Sequence, residues 1–205
     1  MRRTRSRIAL VFCATSALIL FGCEKKDQEH PLAGQGKAAT RESVQVAQST
    51  FVVESPAFKP LQPIPAKYTA DGENVSPPLR WNGVPVGTKE FALICQDLDT
   101  PEDNPWIHWV IYKIPATSME LSESIPKEAT LQTPAGAIQG KNSWNEVGYR
   151  GPEPPQGKGA HRYRFRVYAL NAPLDVQQGL DAKSLASAME THVLAHGDRI
   201  GTYSR

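Results

Sequence analysis

Residues 162–170, RYRFRVYAL, alternate between polar and apolar side chains over most of their length. Successive side chains of a β-strand point to opposite faces of the sheet. One face of this strand is therefore apolar and consists of Tyr163, Phe165, Val167 and Ala169. The opposite face carries Arg162, Arg164 and Arg166, and we expect solvent to cover it. The stretch predicts a β-sheet with one buried face.

Three further stretches extend this prediction to a mainly β domain. Residues 51–53 start a strand, and residues 89–96 (KEFALICQ) and 106–114 (WIHWVIYKI) are rich in the β-branched and aromatic side chains that strands favour. Turn-forming clusters lie between the predicted strands, at residues 82–85 and 151–159. The 17 prolines and 15 glycines argue against a bundle of long helices, because both residues break helices.

One helix is predicted near the end of the chain. Asp181 is a good N-cap, and the apolar residues after it have helical spacing: Leu185, Met189 and Val193. We expect the helix to run to about Ala195, with Gly197 as its terminator.

The charge of the chain gives no reason to expect nucleic-acid binding. The 205 residues suit one domain of ordinary size, and 23 basic against 21 acidic residues give a net charge of +2. Four of the arginines lie within residues 1–22, which contain no acidic residue, so 19 basic residues remain for the rest of the chain. That remainder carries no excess of positive charge for a nucleic-acid surface.

The first 22 residues have the layout of a secretory signal peptide. A basic start precedes the apolar run of residues 8–22, which is shorter than the roughly 20 residues of a membrane-spanning helix. Residues 20–23, LFGC, resemble the bacterial lipobox, whose cysteine is lipidated and becomes the new N-terminus. We expect a lipoprotein signal peptide over residues 1–22, with a diacylglyceryl group and an acyl chain such as palmitate on Cys23.

The segment that follows is expected to link this anchor to the folded domain. Residues 23–49 are polar and lack strand or helix periodicity, which predicts a flexible tether, and the domain is expected over residues 50–205. With Cys13 removed and Cys23 lipidated, Cys95 has no partner for a disulfide. We therefore expect a protein anchored in the bacterial cell envelope and facing the periplasm. Glu24 after the lipidated cysteine favours the outer over the inner membrane.

Polar residues collect where strands are predicted to begin, end or be interrupted. Asp97 and Asp99 follow residues 89–96, and their carboxylates share a face while the chain stays extended. His108 interrupts an apolar strand, and His161 follows the proline-rich loop of residues 149–155. Each feature has an ordinary structural alternative: a turn aspartate, a core histidine or a rigid loop. The sequence has no G-x-S-x-G, H-E-x-x-H or C-x-x-C signature, so none of these residues supports a function by itself.

Five motifs in a fixed order carry a stronger signal. They are residues 71–81 (DGENVSPPLRW), 97–101 (DLDTP), 106–109 (WIHW), 149–155 (YRGPEPP) and 161–163 (HRY). Together they resemble the phosphatidylethanolamine-binding protein family, and within it the bacterial branch described as Raf kinase inhibitor-like proteins. The resemblance runs from about residue 50 to the end of the chain. Two residues depart from it: Thr100 stands where the family usually has alanine, and Glu153 stands where many bacterial members have cysteine.

The resemblance implies an antiparallel β-sandwich with a C-terminal helix and a small pocket at one end. In the family that pocket accepts phosphate-like groups, including phospholipid headgroups. Carried over by motif, the residues that bind the ligand are Asp97, Asp99, Trp106, His108, Gly151, Pro154, Pro155, His161 and Tyr163. The resemblance implies no cofactor, no metal and no catalytic residue. Glu153 is expected to add negative charge near the pocket mouth and to weaken anion binding there.

The chemistry of these residues suits a small ligand that bears a phosphate. Imidazoles donate hydrogen bonds to anions and titrate near neutral pH, and a neighbouring carboxylate favours the charged ring. The Tyr163 hydroxyl and the Gly151 backbone N–H are further donors. Two aspartates beside two histidines leave the site close to neutral, however. A zwitterion such as phosphoethanolamine, with its ammonium near a carboxylate, fits that balance better than a bare anion.

Two other functions stay open at this point. Relatives are known as kinase or protease inhibitors, so the domain is alternatively an inhibitor or interaction module for an envelope protease or another protein. The aspartates and histidines also have the chemistry of a hydrolase, as acid and base or as ligands of a metal that activates water.

Overall fold

The computed structural model describes residues 51–100 and 104–205, so the predicted signal peptide, tether and lipidation site at Cys23 lie outside the described residues. The described chain contains eight strands, one α-helix and a 3₁₀ turn at Ala66–Tyr68. In chain order these elements are β1 (Val52–Glu54), β2 (Leu79–Asn82), β3 (Glu90–Asp97), β4 (Trp106–Pro115), β5 (Glu120–Leu121), β6 (Ile138–Gln139), β7 (His161–Leu170), α1 (Ala182–Met189) and β8 (Val193–Tyr203).

The strands form two antiparallel sheets. The smaller sheet has the order β1-β2-β5, and the larger has the order β6-β4-β3-β7-β8. The long strands β3, β4 and β7 are neighbours in the larger sheet, and β3 runs opposite to both others. The end of β3 therefore meets the beginnings of β4 and β7, and Asp97 lies opposite both Trp106 and Tyr163.

The main core lies between the two sheets. The apolar face predicted for residues 162–170 is fully buried there: Tyr163, Phe165, Val167 and Ala169. Residues of both sheets complete the cluster, and the rings of Trp81 from β2 and Phe91 from β3 meet edge-on with centroids 5.4 Å apart. The prediction of an antiparallel β-sandwich is confirmed, and four of its strands lie where the sequence placed them: β1, β3, β4 and β7.

The helix α1 covers part of the opposite face of the larger sheet. Its buried residues, Leu185 and Met189, pack in one cluster with Ala92, Val110 and Tyr112. The Asp181 carboxylate accepts a hydrogen bond from the Ser184 backbone N–H at 2.8 Å, which confirms the predicted N-cap. No helix in residues 51–100 or 104–205 is long and apolar enough to cross a membrane.

The predicted end of this helix is wrong. The helix stops at Met189, and Val193 begins β8 instead of continuing the apolar stripe. Pairing along the whole of β7 overrides the local helical spacing here, as tertiary contacts often do. Gly197 is needed for packing and not for ending a helix, because a Cβ at that position would lie 2.6 Å from the Phe51 carbonyl oxygen.

The basic face of β7 is only partly a solvated surface. Arg162 pairs with Asp99, and Arg166 makes two 2.7 Å bonds to the Asp198 carboxylate of β8. Arg164 is half-buried, and its Nε has no hydrogen-bond partner. Two of the three predicted exposed charges are therefore neutralised by acidic neighbours.

Candidate functional site

The candidate site lies where the end of β3 meets the beginnings of β4 and β7. A cavity of about 330 Å³ opens at this edge of the larger sheet. Its lining is Asp97, Thr100, Trp106, His108, Trp144, Glu153, Pro154, Pro155, His161 and Tyr163. The structure thus brings together seven of the nine residues that the sequence predicted to bind the ligand. The other two, Asp99 and Gly151, lie close by but do not line the cavity.

A larger groove of about 690 Å³ lies on the other face of the sheet, beside α1. Its lining includes the apolar side chains of Ile94 and Ile107 and the amines of Lys141 and Lys183, but no histidine. Its one carboxylate, Asp181, already caps the helix. None of the five motifs places its polar residues there, so the smaller cavity is the candidate site.

Asp97 orients His161 from the end of β3. The His161 Nδ1–H donates to Asp97 Oδ2 at 2.7 Å, and both side chains are buried. The other carboxylate oxygen, Oδ1, accepts the Asp99 backbone N–H at 2.8 Å. Both Asp97 oxygens are therefore engaged, and the carboxylate fixes the ring of His161 at the cavity wall.

Asp99 lies outside the cavity lining and holds the end of β3 against β7. Its carboxylate accepts bonds from the Arg162 backbone N–H at 2.8 Å and from the Arg162 guanidinium at 2.6 Å. The guanidinium hydrogen bonds hold the pKa of Asp99 below its usual value. Asp99 therefore fixes the end of β3 against β7, and the positive charge of Arg162 balances its negative charge.

The burial and the charge state of His108 differ from those expected. Only 2% of the residue is exposed, and its ring meets the rings of Trp144 and Tyr163 edge-on, each at 5.1 Å between centroids. Its Nδ1 lies 2.7 Å from the Arg150 carbonyl oxygen, which accepts a hydrogen bond from the Nδ1–H. Burial lowers the pKa of His108 to about 4, so the ring is neutral near pH 7. The expectation that both imidazoles titrate near neutral pH is therefore wrong for His108.

The Tyr163 hydroxyl is a buried polar group without a hydrogen-bond partner of good geometry. The residue is fully buried, and it lines the cavity. Burial, the negative charge of Asp97 and a poorly aligned contact with the Asp97 carboxylate raise the pKa of Tyr163, so the hydroxyl keeps its proton. An unsatisfied buried hydroxyl costs about 1–3 kcal/mol, which makes this donor an indicator of a missing partner.

The loop of residues 149–155 is fastened to the 3₁₀ turn and the segment after it. The Tyr149 hydroxyl donates to the Tyr68 carbonyl at 2.8 Å, and the Gly151 N–H donates to Asn74 Oδ1 at 2.7 Å. A Cβ on Gly151 would lie 2.5 Å from the Tyr68 carbonyl oxygen, so the loop approaches too closely for any other residue. The Gly151 N–H, which was expected to face a ligand, is used to hold the loop.

Glu153, which lines the cavity, belongs to a group of charged side chains. Glu153 lies 3.1 Å from the Arg150 guanidinium and 3.8 Å from that of Arg205, and Arg205 also pairs with Asp71 at 3.0 Å. Arg150 covers the Trp144 ring, with 4.4 Å between its guanidinium carbon and the ring centroid. The negative charge expected from Glu153 is therefore balanced by two arginines.

Sequence reasoning missed two contributors to this site. Trp144 lies in a polar loop outside all five motifs, and only its large apolar ring among polar neighbours hinted at a role. Arg205 is the last residue of the chain, and nothing in its sequence surroundings connects it with residue 153. Within the described part of the chain, no three His, Cys, Asp or Glu side chains are grouped to hold a metal ion.

Comparison with known proteins identifies the family. A family model described as phosphatidylethanolamine-binding protein matches residues 54–204. A UPF0098 protein of Methanothermobacter thermautotrophicus is 48% identical over 149 residues, which are 73% of this chain and 95% of that protein. A UPF0098 protein of Pyrococcus horikoshii is 41% identical over 142 residues, 69% of this chain and 71% of the relative.

Solved structures agree with these relatives. Escherichia coli YbcL, described as a member of the mammalian phosphatidylethanolamine-binding protein family, is similar with a TM-score of 0.71 at 31% identity, over 76% of this chain and 98% of YbcL. A homolog from Chlamydia trachomatis gives a TM-score of 0.68 at 36% identity, over 77% of this chain and 99% of the homolog. The family match includes every residue that lines the cavity, and the chain belongs to the phosphatidylethanolamine-binding protein family.

Proposed function

We propose that this protein binds a small phosphate-bearing or zwitterionic ligand in the cavity at the end of β3. The observation that carries the proposal is the Tyr163 hydroxyl, a buried donor whose contact with the Asp97 carboxylate lacks good hydrogen-bond geometry, in a cavity that it shares with His108 and His161. A phosphoryl oxygen is the kind of acceptor that such a donor lacks.

The charge distribution supports a zwitterionic ligand such as phosphoethanolamine. Two carboxylates line the cavity, Asp97 and Glu153, and they offer partners for an ammonium group. Arg150 and Arg205, which pair with the cavity residue Glu153, offer partners for the phosphate. The names of the family and of its solved members speak of phosphatidylethanolamine binding, which agrees with this ligand class.

The proposal includes a place in the cell envelope. Lipidation of Cys23 would anchor the chain, and the tether of residues 23–49 would give it a reach of roughly 30 Å as a flexible chain. We expect labelled palmitate to be incorporated into the wild-type protein and not into Cys23→Ser. A Cys95→Ser control would keep the label, because Cys95 is buried in the domain core.

Ligand binding is tested by NMR on the full chain in a neutral detergent. Phosphoethanolamine and inorganic phosphate are titrated while the ring resonances of His108 and His161 are followed. We expect saturable shifts at both rings. His108→Ala should abolish the shift at His161, and His196→Gln should leave both shifts unchanged, since His196 is exposed on a different face. No shift at millimolar ligand would refute a binding role for this cavity.

A further inference from the structure

We infer that a separate cavity, at the edge where the two sheets meet, binds a dianionic phosphoryl group through Arg199. This cavity of about 360 Å³ shares no lining residue with the cavity at the end of β3. Its lining includes four charged residues, Glu54, Lys59, Arg80 and Arg199. The inference goes beyond the proposed function and does not depend on it.

The edge strands β1 and β8 place this cavity at one side of the sandwich. β1 is an edge strand of the smaller sheet, and β8 is an edge strand of the larger sheet. The two strands pack closely, since a Cβ on Gly197 would lie 2.6 Å from the Phe51 carbonyl oxygen and 3.0 Å from Val53 Cγ2. Arg199 comes two residues after Gly197, so its side chain lies on the same face of β8, towards the smaller sheet.

Arg199 is a buried cation without a partner. Only 7% of the residue is exposed, and it is the one lysine or arginine among the buried residues of the described chain. Its Nε is shielded from solvent and has no hydrogen-bond partner, and no carboxylate of the described residues forms an ion pair with its guanidinium. Because Arg199 lines the cavity, a ligand bound there would supply the partner that the guanidinium lacks.

The surroundings of Arg199 make an unpaired charge unfavourable. Apolar side chains lie against the same face of β8, since a Cβ on Gly201 would lie 2.5 Å from the Ile64 side chain and 2.8 Å from the Phe58 ring. Burial lowers the pKa of Arg199 below its usual value, although the guanidinium stays charged near pH 7. Buried charges are ordinarily paired or hydrogen-bonded, so the position of Arg199 favours an anionic ligand.

The other charged residues of the lining favour an anion with two negative charges. Lys59 is exposed and forms no ion pair within the described chain, and Arg80 lies opposite Glu54 in the register of β1 and β2. Arg80 also pairs with Glu120 at 3.3 Å, but both side chains are more than half exposed, so that pair is weak. The lining thus has three positive charges against one negative charge. A dianionic phosphoryl group balances this surplus, and guanidinium groups bind phosphate oxygens in pairs.

Two sources of a phosphoryl group differ in charge. A soluble phosphate monoester is mostly a dianion at about pH 8, because its second pKa lies near 6. The phosphodiester of a phospholipid headgroup has a single negative charge. Monomethyl phosphate and dimethyl phosphate therefore represent the two sources, and we expect this cavity to prefer the monoester.

The test is an NMR titration of the ¹⁵N-labelled full chain in a neutral detergent at about pH 8 and constant ionic strength. The backbone amides of Lys59 and Arg199 report on this cavity, and those of Asp99 and His161 report on the cavity at the end of β3. We expect monomethyl phosphate to shift the signals of Lys59 and Arg199 saturably, with a dissociation constant of about 1 mM or lower. Dimethyl phosphate should bind there several times more weakly, because it has one negative charge fewer.

Two variants and a control locate the binding. Arg199→Met removes the charge and keeps an apolar side chain, so affinity at this cavity should fall about tenfold to a hundredfold while the response at the end of β3 stays. Lys59→Gln, at an exposed position, should weaken binding severalfold without affecting the fold. Arg166→Gln also removes one positive charge, but Arg166 pairs with Asp198 and lines neither cavity, so both responses should stay.

Three results would overturn the inference: no saturable shift at Lys59 and Arg199 with monomethyl phosphate, equal affinity for the two phosphates, or unchanged affinity in Arg199→Met. Near-ultraviolet circular dichroism shows whether Arg199→Met is folded, and if it is not, Lys59→Gln and the two phosphates on the wild-type protein decide. A response confined to Asp99 and His161 would refute this inference and leave the proposed function standing. A response confined to Lys59 and Arg199 would do the reverse.

Discussion

Replacing Tyr163 with phenylalanine should stabilise the ligand-free protein and weaken its binding of ligand. The phenol ring packs in the core between the sheets, and phenylalanine keeps that packing. Only the hydroxyl is removed, and it is buried without a hydrogen-bond partner of good geometry. An unsatisfied buried hydroxyl costs about 1–3 kcal/mol, so Tyr163→Phe should raise the free energy of unfolding by about 1 kcal/mol. For a domain of this size that is a melting-temperature increase of about 2–4 °C.

Ligand binding should change in the opposite direction. A hydrogen bond to a charged group contributes about 1.5–3 kcal/mol, and its loss corresponds to an affinity reduced about tenfold to a hundredfold. Greater stability together with weaker binding is what is expected when a site keeps an unsatisfied group for a ligand. A purely structural tyrosine would give the reverse pattern of stability.

Tyr149→Phe is a matched control in the same core. The Tyr149 ring is also fully buried, but its hydroxyl donates to the Tyr68 carbonyl at 2.8 Å. Removing it leaves a buried carbonyl without its partner, so we expect a loss of about 1–2 kcal/mol. Urea unfolding in the absence of ligand, followed by tryptophan fluorescence, measures both variants. If Tyr163→Phe is destabilised as much as Tyr149→Phe, the Tyr163 hydroxyl has a partner and the reasoning is refuted.

Three further predictions test the surroundings of the cavity. Glu153→Gln removes one of the two carboxylates that pair with each of Arg150 and Arg205, so phosphate should bind severalfold more tightly in a calorimetric titration; Glu146→Gln, which removes a carboxylate outside the cavity lining, should have a smaller effect. Arg162 lowers the pKa of Asp99, so the stabilisation from Asp99 is present at pH values above the ordinary aspartate pKa of about 4. It is lost as the pH falls through the lower pKa that Asp99 has in the folded protein. The wild-type protein should therefore lose more stability than Asp99→Asn between about pH 4 and about pH 2 in urea titrations, and parallel curves would contradict this. Gly151→Ala places a methyl group 2.5 Å from the Tyr68 carbonyl oxygen, so the urea midpoint should fall by the equivalent of about 1–3 kcal/mol, and an unchanged midpoint would show that the loop can move aside.

The sequence predicted the strands well because their patterns are local. The alternation in residues 162–170 directly encodes a strand with one buried face, and β7 buries every apolar residue of that face. The C-terminal helix was placed correctly at Asp181 because capping is also local. Its end was missed because residues 193–203 have no clear alternation, and only pairing with β7 makes them a strand.

The residues of the site could be predicted from the sequence, but their hydrogen-bond partners and their burial could not. Seven of the residues that the sequence predicted to bind the ligand line the cavity, since sheet register brings the end of β3 to the beginnings of β4 and β7. Whether the Gly151 N–H faces a ligand or Asn74 depends on a contact between distant segments. The same holds for the burial of His108, which depends on Trp144 from a loop outside the motifs.

The two histidines of the cavity differ in what accepts the Nδ1 proton, and this difference gives them different roles. His161 donates to a carboxylate, so a full negative charge lies 2.7 Å from its ring. His108 donates to a carbonyl, which orients the ring but supplies no full negative charge, and aromatic rings enclose it. The first ring therefore lies against a full negative charge, whereas the second is enclosed by uncharged groups. A cavity that holds one of each, with the Tyr163 hydroxyl beside them, offers both hydrogen-bond donors and acceptors to a small polar ligand.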